Sequence, residues 1–284
     1  MILKNRKRGF VMFKVGFSCG RDMSEERFKA LKESGVGAIE ISLSYEDLKT
    51  FDYKEVLRLS KLYDIELWSF HLPFLPFAEI DISSTKEEIR KLSVDLCKGY
   101  IEKATEIGID KFVIHPSAEP IMPEERPARL EASKNSLNEL ADFAALKGAV
   151  IAVEDLPRTC LGNCAEEMLE ILETNDKLRV CFDTNHLLKD TNGNFLKKVG
   201  DKIVTLHISD YDFVDEKHWL PGEGKVDWNE ILEGLKGIGY KGVWMYEVGL
   251  GIPRTLTRSR NLEFDDFVRN AKEIFEGKEI TRIK

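Results

Sequence analysis

Cysteine is sparse in this 284-residue chain, and what there is lacks order. The five residues, Cys19, Cys97, Cys160, Cys164 and Cys181, are odd in number and irregularly spaced, which argues against a disulfide framework. Cys160 and Cys164 lie four apart, but no second pair completes a zinc module. Free thiols in a reducing cytoplasm are therefore expected. Long apolar runs are also missing: the longest are strand-sized, so no segment is expected to span a membrane as a helix. Basic residues are outnumbered, 42 Lys and Arg against 50 Asp and Glu. The net charge of −8 argues against a broad nucleic-acid footprint, which needs clustered Lys and Arg. Residues 1–11 read as an N-terminal extension: Lys4, Arg6, Lys7 and Arg8 are there, but no apolar core of signal-peptide length follows. No early strand is followed by G-x-G-x-x-G either, since Gly16-Phe-Ser-Cys-Gly20 has the wrong spacing for a dinucleotide-binding sheet.

What is present is a regular alternation of strand-like and helix-like segments. Short apolar runs end at Phe17, Ser42, His71, His115, Glu154, Asp183, His207 and Glu247. Between them lie amphipathic stretches, among them one with Phe28 and Leu31 inward that stops at Gly35, and another over 53–63. Ser84-x-x-Glu87, Asn163-x-x-Glu166 and Asp227-x-x-Glu230 read as helix starts. In the helix after Ser84, Ile89, Leu92, Leu96, Tyr100, Ala104 and Ile107 are expected to form the buried stripe. Strand–helix alternation implies parallel pairing with right-handed crossovers. Eight units without a linker predict a single (β/α)8 TIM barrel over residues 1–284, a fold that takes about 250 residues.

All five histidines fall at a strand end or in a loop beyond one, and so do three carboxylates. In a (β/α)8 barrel the C-terminal strand ends form the active-site mouth. By strand alternation Glu154 shares its face with Ala152, Asp183 with Cys181, His207 with Thr205, Glu247 with Met245 and His71 with Ser69. A single carboxylate there has a plain explanation as a cap on the next helix or turn. Four groups together do not: buried carboxylates need a cation or hydrogen-bond donors. Glu154, Asp183, His207 and Glu247 are thus candidate ligands of one divalent metal, with an oxygen-rich set that suits Mn²⁺, Mg²⁺ or Co²⁺. His71, His115, His186 and His218 would hold substrate hydroxyls, or would recruit further ions, in which case Zn²⁺ is expected. Trp219 is open to two readings, a cover over substrate or a packed loop residue. Arg158 is likewise open: it would bind a phosphate or carboxylate, or pair with a neighbouring acid, the preferred reading.

The chain resembles the xylose-isomerase-like barrel superfamily, in particular its sugar phosphate isomerase/epimerase group. The resemblance runs from the first strand to Glu247. Its most specific pieces are Ser69-Phe-His-Leu-Pro-Phe74, Ile114-His-Pro116, Val153-Glu-Asp155, Phe182-Asp-Thr-Asn-His186, Leu206-His-Ile-Ser-Asp210 and Leu220-Pro-Gly-Glu-Gly-Lys-Val-Asp-Trp228. In ketose 3-epimerases of this group, residues matching Glu154, Asp183, His207 and Glu247 bind one metal, and the match of His186 contacts substrate oxygen. The resemblance therefore implies a metal-dependent isomerase or epimerase of a sugar or sugar phosphate. Glu154 and Glu247 would move a proton next to a carbonyl through an enediolate, with His186 bonding the developing oxyanion. The same superfamily holds apurinic/apyrimidinic endonucleases with three zinc ions, whose ligands match His71, His115, Glu154, Asp183, His186, His207, His218 and Glu247. Where those enzymes carry an aspartate, this chain has Glu216, with Asp215 adjacent. A multi-zinc phosphoesterase is thus the alternative, and a metal-dependent polyol dehydratase also fits the one-metal set. A sugar-binding barrel without activity ranks last, because no ligand is missing. The expected partner is a small-molecule sugar rather than nucleic acid or membrane. Homo-oligomers are common in this superfamily, although no segment here marks an interface.

Overall fold

The structure, a computed structural model, describes residues 12–283; the expected extension over residues 1–11 lies outside them. Eight strands run β1 (Lys14–Cys19), β2 (Ala38–Ser42), β3 (Glu66–His71), β4 (Lys111–Ile114), β5 (Val150–Glu154), β6 (Arg179–Asp183), β7 (Ile203–His207) and β8 (Val243–Tyr246). The helices are α1 (Glu25–Ser34), α2 (Tyr45–Lys49), α3 (Tyr53–Tyr63), α4 (Glu87–Thr105), α5 (Arg126–Leu146), α6 (Ala165–Leu172), α7 (Asn192–Val199), α8 (Trp228–Gly237) and α9 (Phe264–Phe275). The strand ladders are parallel, in the order β7-β6-β5-β4-β3-β2-β1-β8. Between β7 and β8 the ring is completed by one residue: Ile208 N–H donates to the Met245 carbonyl (2.8 Å), and the Ile208 carbonyl accepts from Glu247 N–H (3.2 Å). This is the expected (β/α)8 barrel. No helix among the described residues is long and apolar enough to cross a membrane. The five cysteines are free.

Alternation along the strands sorts side chains into two populations. Ile39, Ile41, Phe70, Phe112, Val153 and Phe182 join the large core between strands and helices. Their neighbours point into the barrel, where two small clusters form its floor: Ala38, Val243 and Met245 beside Trp68, and Val113, Ala152 and Cys181 beside Val204. Space there is tight. A Cβ on Gly16 would sit 2.4 Å from Val243 Cγ1, so only glycine fits at that point of β1. Above the apolar floor the inward residues become polar.

Three local expectations need correction. Ser84 does not cap α4, which begins at Glu87 after Lys86 and has no side-chain cap. Asp81 folds the preceding residues into a turn, and Ser84 Oγ is used there, accepting from Lys86 N–H (3.2 Å). Asn163 does not cap α6 either: its amide donates to the Arg158 carbonyl (2.9 Å), while Asp190 accepts from Ala165 N–H (2.9 Å) across the loop. Of the stripe expected on α4 and just beyond it, Tyr100, Ala104 and Ile107 are buried, but Leu92 is 67% exposed, and Ser93, Val94, Cys97 and Ile101 complete the buried face. Ser93 turns that face inward, because its hydroxyl accepts from Asp81 N–H (2.8 Å) as it donates to the Ile89 carbonyl (2.7 Å). Asp227 does cap α8 as read, accepting from Asn229 and Glu230 N–H (3.0 and 3.1 Å).

The last helix is anchored electrostatically. Asp266, buried in the first turn of α9, accepts two bonds from Arg260 (2.7 and 2.8 Å), one from Arg269 (2.9 Å) and one from Glu263 N–H (2.9 Å). Burial opposes its charge, but the arginines and the backbone donor prevail and hold the carboxyl below its usual value. A depressed folded value stabilises above the unfolded pKa of about 3.9, and that stabilisation is lost as pH falls through the folded value. Asp266→Asn should therefore cost about 1–3 kcal/mol at pH 7 and progressively less below about pH 4. Urea unfolding at both pH values checks this; a cost that grows in acid would contradict it.

Candidate metal centre

The strand ends deliver the expected side chains to one place. His71, Glu154, Asp183 and His207 are the last residues of β3, β5, β6 and β7; His115 and Glu247 directly follow β4 and β8. One donor atom each from Glu154, Asp183, His207 and Glu247 lie within 4.8 Å of one another. His207 Nδ1 stands 2.8 Å from Glu154 Oε1, 3.4 Å from Glu247 Oε2 and 3.9 Å from Asp183 Oδ2. The other oxygen of Glu154 faces His71 Nε2 and His115 Nε2, both at 3.2 Å. His186, Glu216 and His218 form an adjoining group, with His186 Nε2 3.5 Å from Glu216 Oε2.

The carboxylate charges in this cluster are offset only by imidazolium rings or by a bound cation. Asp183 Oδ2 and Glu247 Oε2 are buried with no hydrogen-bond partner. Burial, followed by the neighbouring Glu247 and Glu154 charges, pushes the Asp183 carboxyl well above its usual range. Burial also opposes charge on Glu154 and Glu247, yet the histidines outweigh it and hold both low: His207, His115 and His71 around Glu154, His207 and His218 around Glu247. Ring orientations point the same way. A carbonyl can only accept, so His71 Nδ1 donates to Leu72 O (2.9 Å) and His186 Nδ1 donates to Asp155 O (2.8 Å). Their Nε2 lone pairs then face the carboxylates of Glu154 and Glu216, acceptor against acceptor. A proton or a metal ion must lie between such pairs, and a metal-ligating imidazole is normally held through its other nitrogen in this way. The residues fit divalent ions: oxygen-rich ligation at the four-residue group, imidazole-rich ligation at its two neighbours.

A cavity of about 190 Å³ opens onto the cluster, lined by Phe74, Phe77, Glu154, Arg158, His186 and Glu247 among others. Arg158 pairs with three acids: Glu119 (2.5 and 3.0 Å), Asp215 (2.8 Å) and Glu216 (3.2 Å). Trp219 does not line this cavity. It is buried, its backbone bridges Asp210, and its indole N–H donates to Thr255 Oγ1 (2.9 Å), so it is the packed loop residue. The Pro-Gly-Glu-Gly segment is architectural as well. Asp210 draws the loop in, accepting from Gly222 N–H (2.8 Å), Val226 N–H (3.1 Å) and Trp228 Nε1–H (3.1 Å). A Cβ on Gly224 would lie 2.2 Å from Asp210 Oδ1.

Two buried acids escaped the sequence reading. Asp155 accepts from Asp183 N–H (2.8 Å), has one unpartnered oxygen, and sits well above the usual carboxylate range through burial and the Asp183 charge. Glu40, fully buried on β2, lies 2.9 Å from His207 Nε2. Its signal was available: a lone carboxylate inside the apolar run Ala38-Ile39-Glu40-Ile41.

A parallel eight-stranded barrel with imidazoles and carboxylates at its C-terminal mouth defines the class of protein. Residues 28–263 match the family described as xylose isomerase-like TIM barrel, and the chain belongs to that family. It is 32% identical over 201 residues to the uncharacterized protein MJ1311 of Methanocaldococcus jannaschii, covering 67% of each chain. It is also 32% identical over 165 residues to inosose isomerase of Bacillus subtilis, covering 53% of this chain and 58% of that one. The crystal structure of a D-tagatose 3-epimerase-like protein aligns with a TM-score of 0.75 at 26% identity, over 92% of this chain and 96% of the other.

The crowding of carboxylates yields a prediction of opposite signs. Mn²⁺ at a hundred times its Kd should stabilise the folded chain by about 2.7 kcal/mol, read as a rise in thermal midpoint. Asp183→Asn should leave the chelator-treated protein at least as stable as the parent while removing most of that rise. Lower stability of the variant in chelator would contradict the charge argument.

Proposed function

We propose that this chain is a divalent-metal-dependent isomerase or epimerase acting on a sugar or sugar phosphate. The observation that carries the reading is the group Glu154, Asp183, His207 and Glu247, with two buried carboxylate oxygens left unpartnered at the barrel mouth. The likeness to inosose isomerase and to a D-tagatose 3-epimerase-like protein supports the substrate class. An ion held by these four residues supplies Lewis-acid polarisation of a carbonyl, which acidifies the neighbouring C–H. Glu247 suits the role of base: its side chain is 25% exposed and lines the cavity. In an epimerisation Glu154, on β5, would have to carry a proton of its own to deliver to the opposite face while Glu247 keeps the one it removed; in an isomerisation one carboxylate would shuttle the same proton. His186 donates its Nδ1–H to the Asp155 carbonyl, which leaves Nε2 as the ring nitrogen available to a substrate oxygen. Phe74 and Phe77 give the cavity an apolar wall for the C–H face of a sugar.

A second reading, the multi-zinc phosphoesterase, is favoured by one specific feature. His71 and His115 converge on Glu154, and His186 and His218 on Glu216, in separate ligand-sized groups beside the first. Metal activation of water and clamping of a phosphate would then replace proton transfer at carbon. The acidic net charge of −8 weighs against a nucleic-acid substrate.

Protein purified without chelator or added metal is expected to carry about one Mn²⁺, Co²⁺ or Mg²⁺ per chain by elemental analysis, the set that oxygen-rich ligands select. On an accepted ketose in D2O, deuterium should appear at the carbon next to the carbonyl. Two or three tightly held Zn²⁺ ions without such exchange would transfer the assignment to the phosphoesterase. Loss of water from the substrate would transfer it to the dehydratase.

A further inference from the structure

We infer that Glu40 is a positioning residue: it accepts the Nε2–H of His207 and thereby aims Nδ1 at the ion site. The inference rests on the reading that Glu154, Asp183, His207 and Glu247 hold a divalent ion. Two of those ligands approach the ring from its Nδ1 side, Glu154 at 2.8 Å and Glu247 at 3.4 Å. A ring that ligates through Nδ1 must keep its proton on Nε2, and a buried N–H needs an acceptor. The Glu40 carboxylate stands 2.9 Å away and is that acceptor.

Glu40 is itself held too firmly to be an incidental contact. Ser18 Oγ donates to its Oε1 (2.9 Å) and Ser69 Oγ to its Oε2 (2.8 Å), from the strands on either side of β2. The side chain reaches His207 across the barrel interior, over 167 residues of sequence, and both groups are fully buried. His71 stacks on the His207 ring with 13° between planes and 5.8 Å between centroids, so the ring is fixed by its face as well as its edges. Neither a helix cap nor the strand ladder requires a carboxylate at position 40. Burial of a charge costs several kcal/mol unless partners offset it. The neighbouring interior positions on the floor, Ala38, Val243 and Met245, are apolar. Glu40 instead makes with His207 the carboxylate–imidazole pair that orients a ligating ring and raises its basicity.

The test is Co²⁺ binding to the whole chain, measured by competition with a chromophoric chelator and by the visible ligand-field band. Glu40→Gln should weaken binding by about 10–100-fold and alter the band, in protein whose near-ultraviolet dichroism matches the parent. In a His207→Gln background the same substitution should cost nothing further, because Glu40 acts through the ring. Should Glu40→Gln fail to fold, Ser69→Ala, which frees one oxygen of Glu40, is expected to give a smaller loss of the same kind. Unchanged affinity and band in Glu40→Gln, with one ion bound by the parent, would overturn the positioning role and leave the ion site standing. A loss that persists in full without His207 would reduce Glu40 to a distant charge and overturn it too. A parent chain that binds no Co²⁺ would remove the ion site, and the inference with it.

Discussion

Carboxylates withdrawn from water and pressed against one another cannot all remain charged unless a cation lies among them. Glu154, Asp183 and Glu247 meet that condition at the barrel mouth, each with His207 Nδ1 within 3.9 Å. The unpartnered oxygens of Asp183 and Glu247 and the upward displacement of Asp183 are the local consequences. Much of the remaining arrangement serves this one requirement. His207 is gripped at both nitrogens, His71 and His186 are turned by main-chain carbonyls, and Asp183 is held at its own N–H by Asp155.

The barrel makes such a cluster affordable by confining it. Below it, small and apolar residues fill the interior so tightly that β1 needs glycine at position 16. Around it, the large aliphatic and aromatic core between strands and helices fixes the strand ends, and Ile208 joins β8 to β7. Beyond it, Asp210 gathers the loop that follows β7 through backbone donors from residues 211, 222 and 226. Packing and the polar cluster are thus separated by height in the barrel: the floor is apolar, and the rim carries the carboxylates and imidazoles.

The fold and the rim were legible in the sequence because both are written in short-range pattern. Apolar runs of strand length mark β1 to β8, and histidines or acids at their ends mark the mouth. What escaped depended on partners remote in sequence. Glu40 acquires meaning only from His207 across the barrel, and Asp190 displaces Asn163 as the partner of Ala165 N–H from a different loop. Of the stripe expected on α4 and just beyond it, Tyr100, Ala104 and Ile107 are buried, but Leu92 is left to solvent while Ser93, a polar residue, turns inward to bind Asp81. Hydrophobic spacing carries no information about such a bond. Trp219 and the Pro-Gly-Glu-Gly turn were visible as a motif, but only the Asp210 contacts show it to be scaffolding.

The proposed function requires one divalent ion among Glu154, Asp183, His207 and Glu247. Crystals grown with Mn²⁺, with diffraction recorded at the manganese absorption edge, test it most directly. One strong anomalous peak bounded by those four side chains, with His207 ligating through Nδ1, is the expected result. Peaks confined to the His71–His115 and His186–His218 groups, with none among the four, would contradict it.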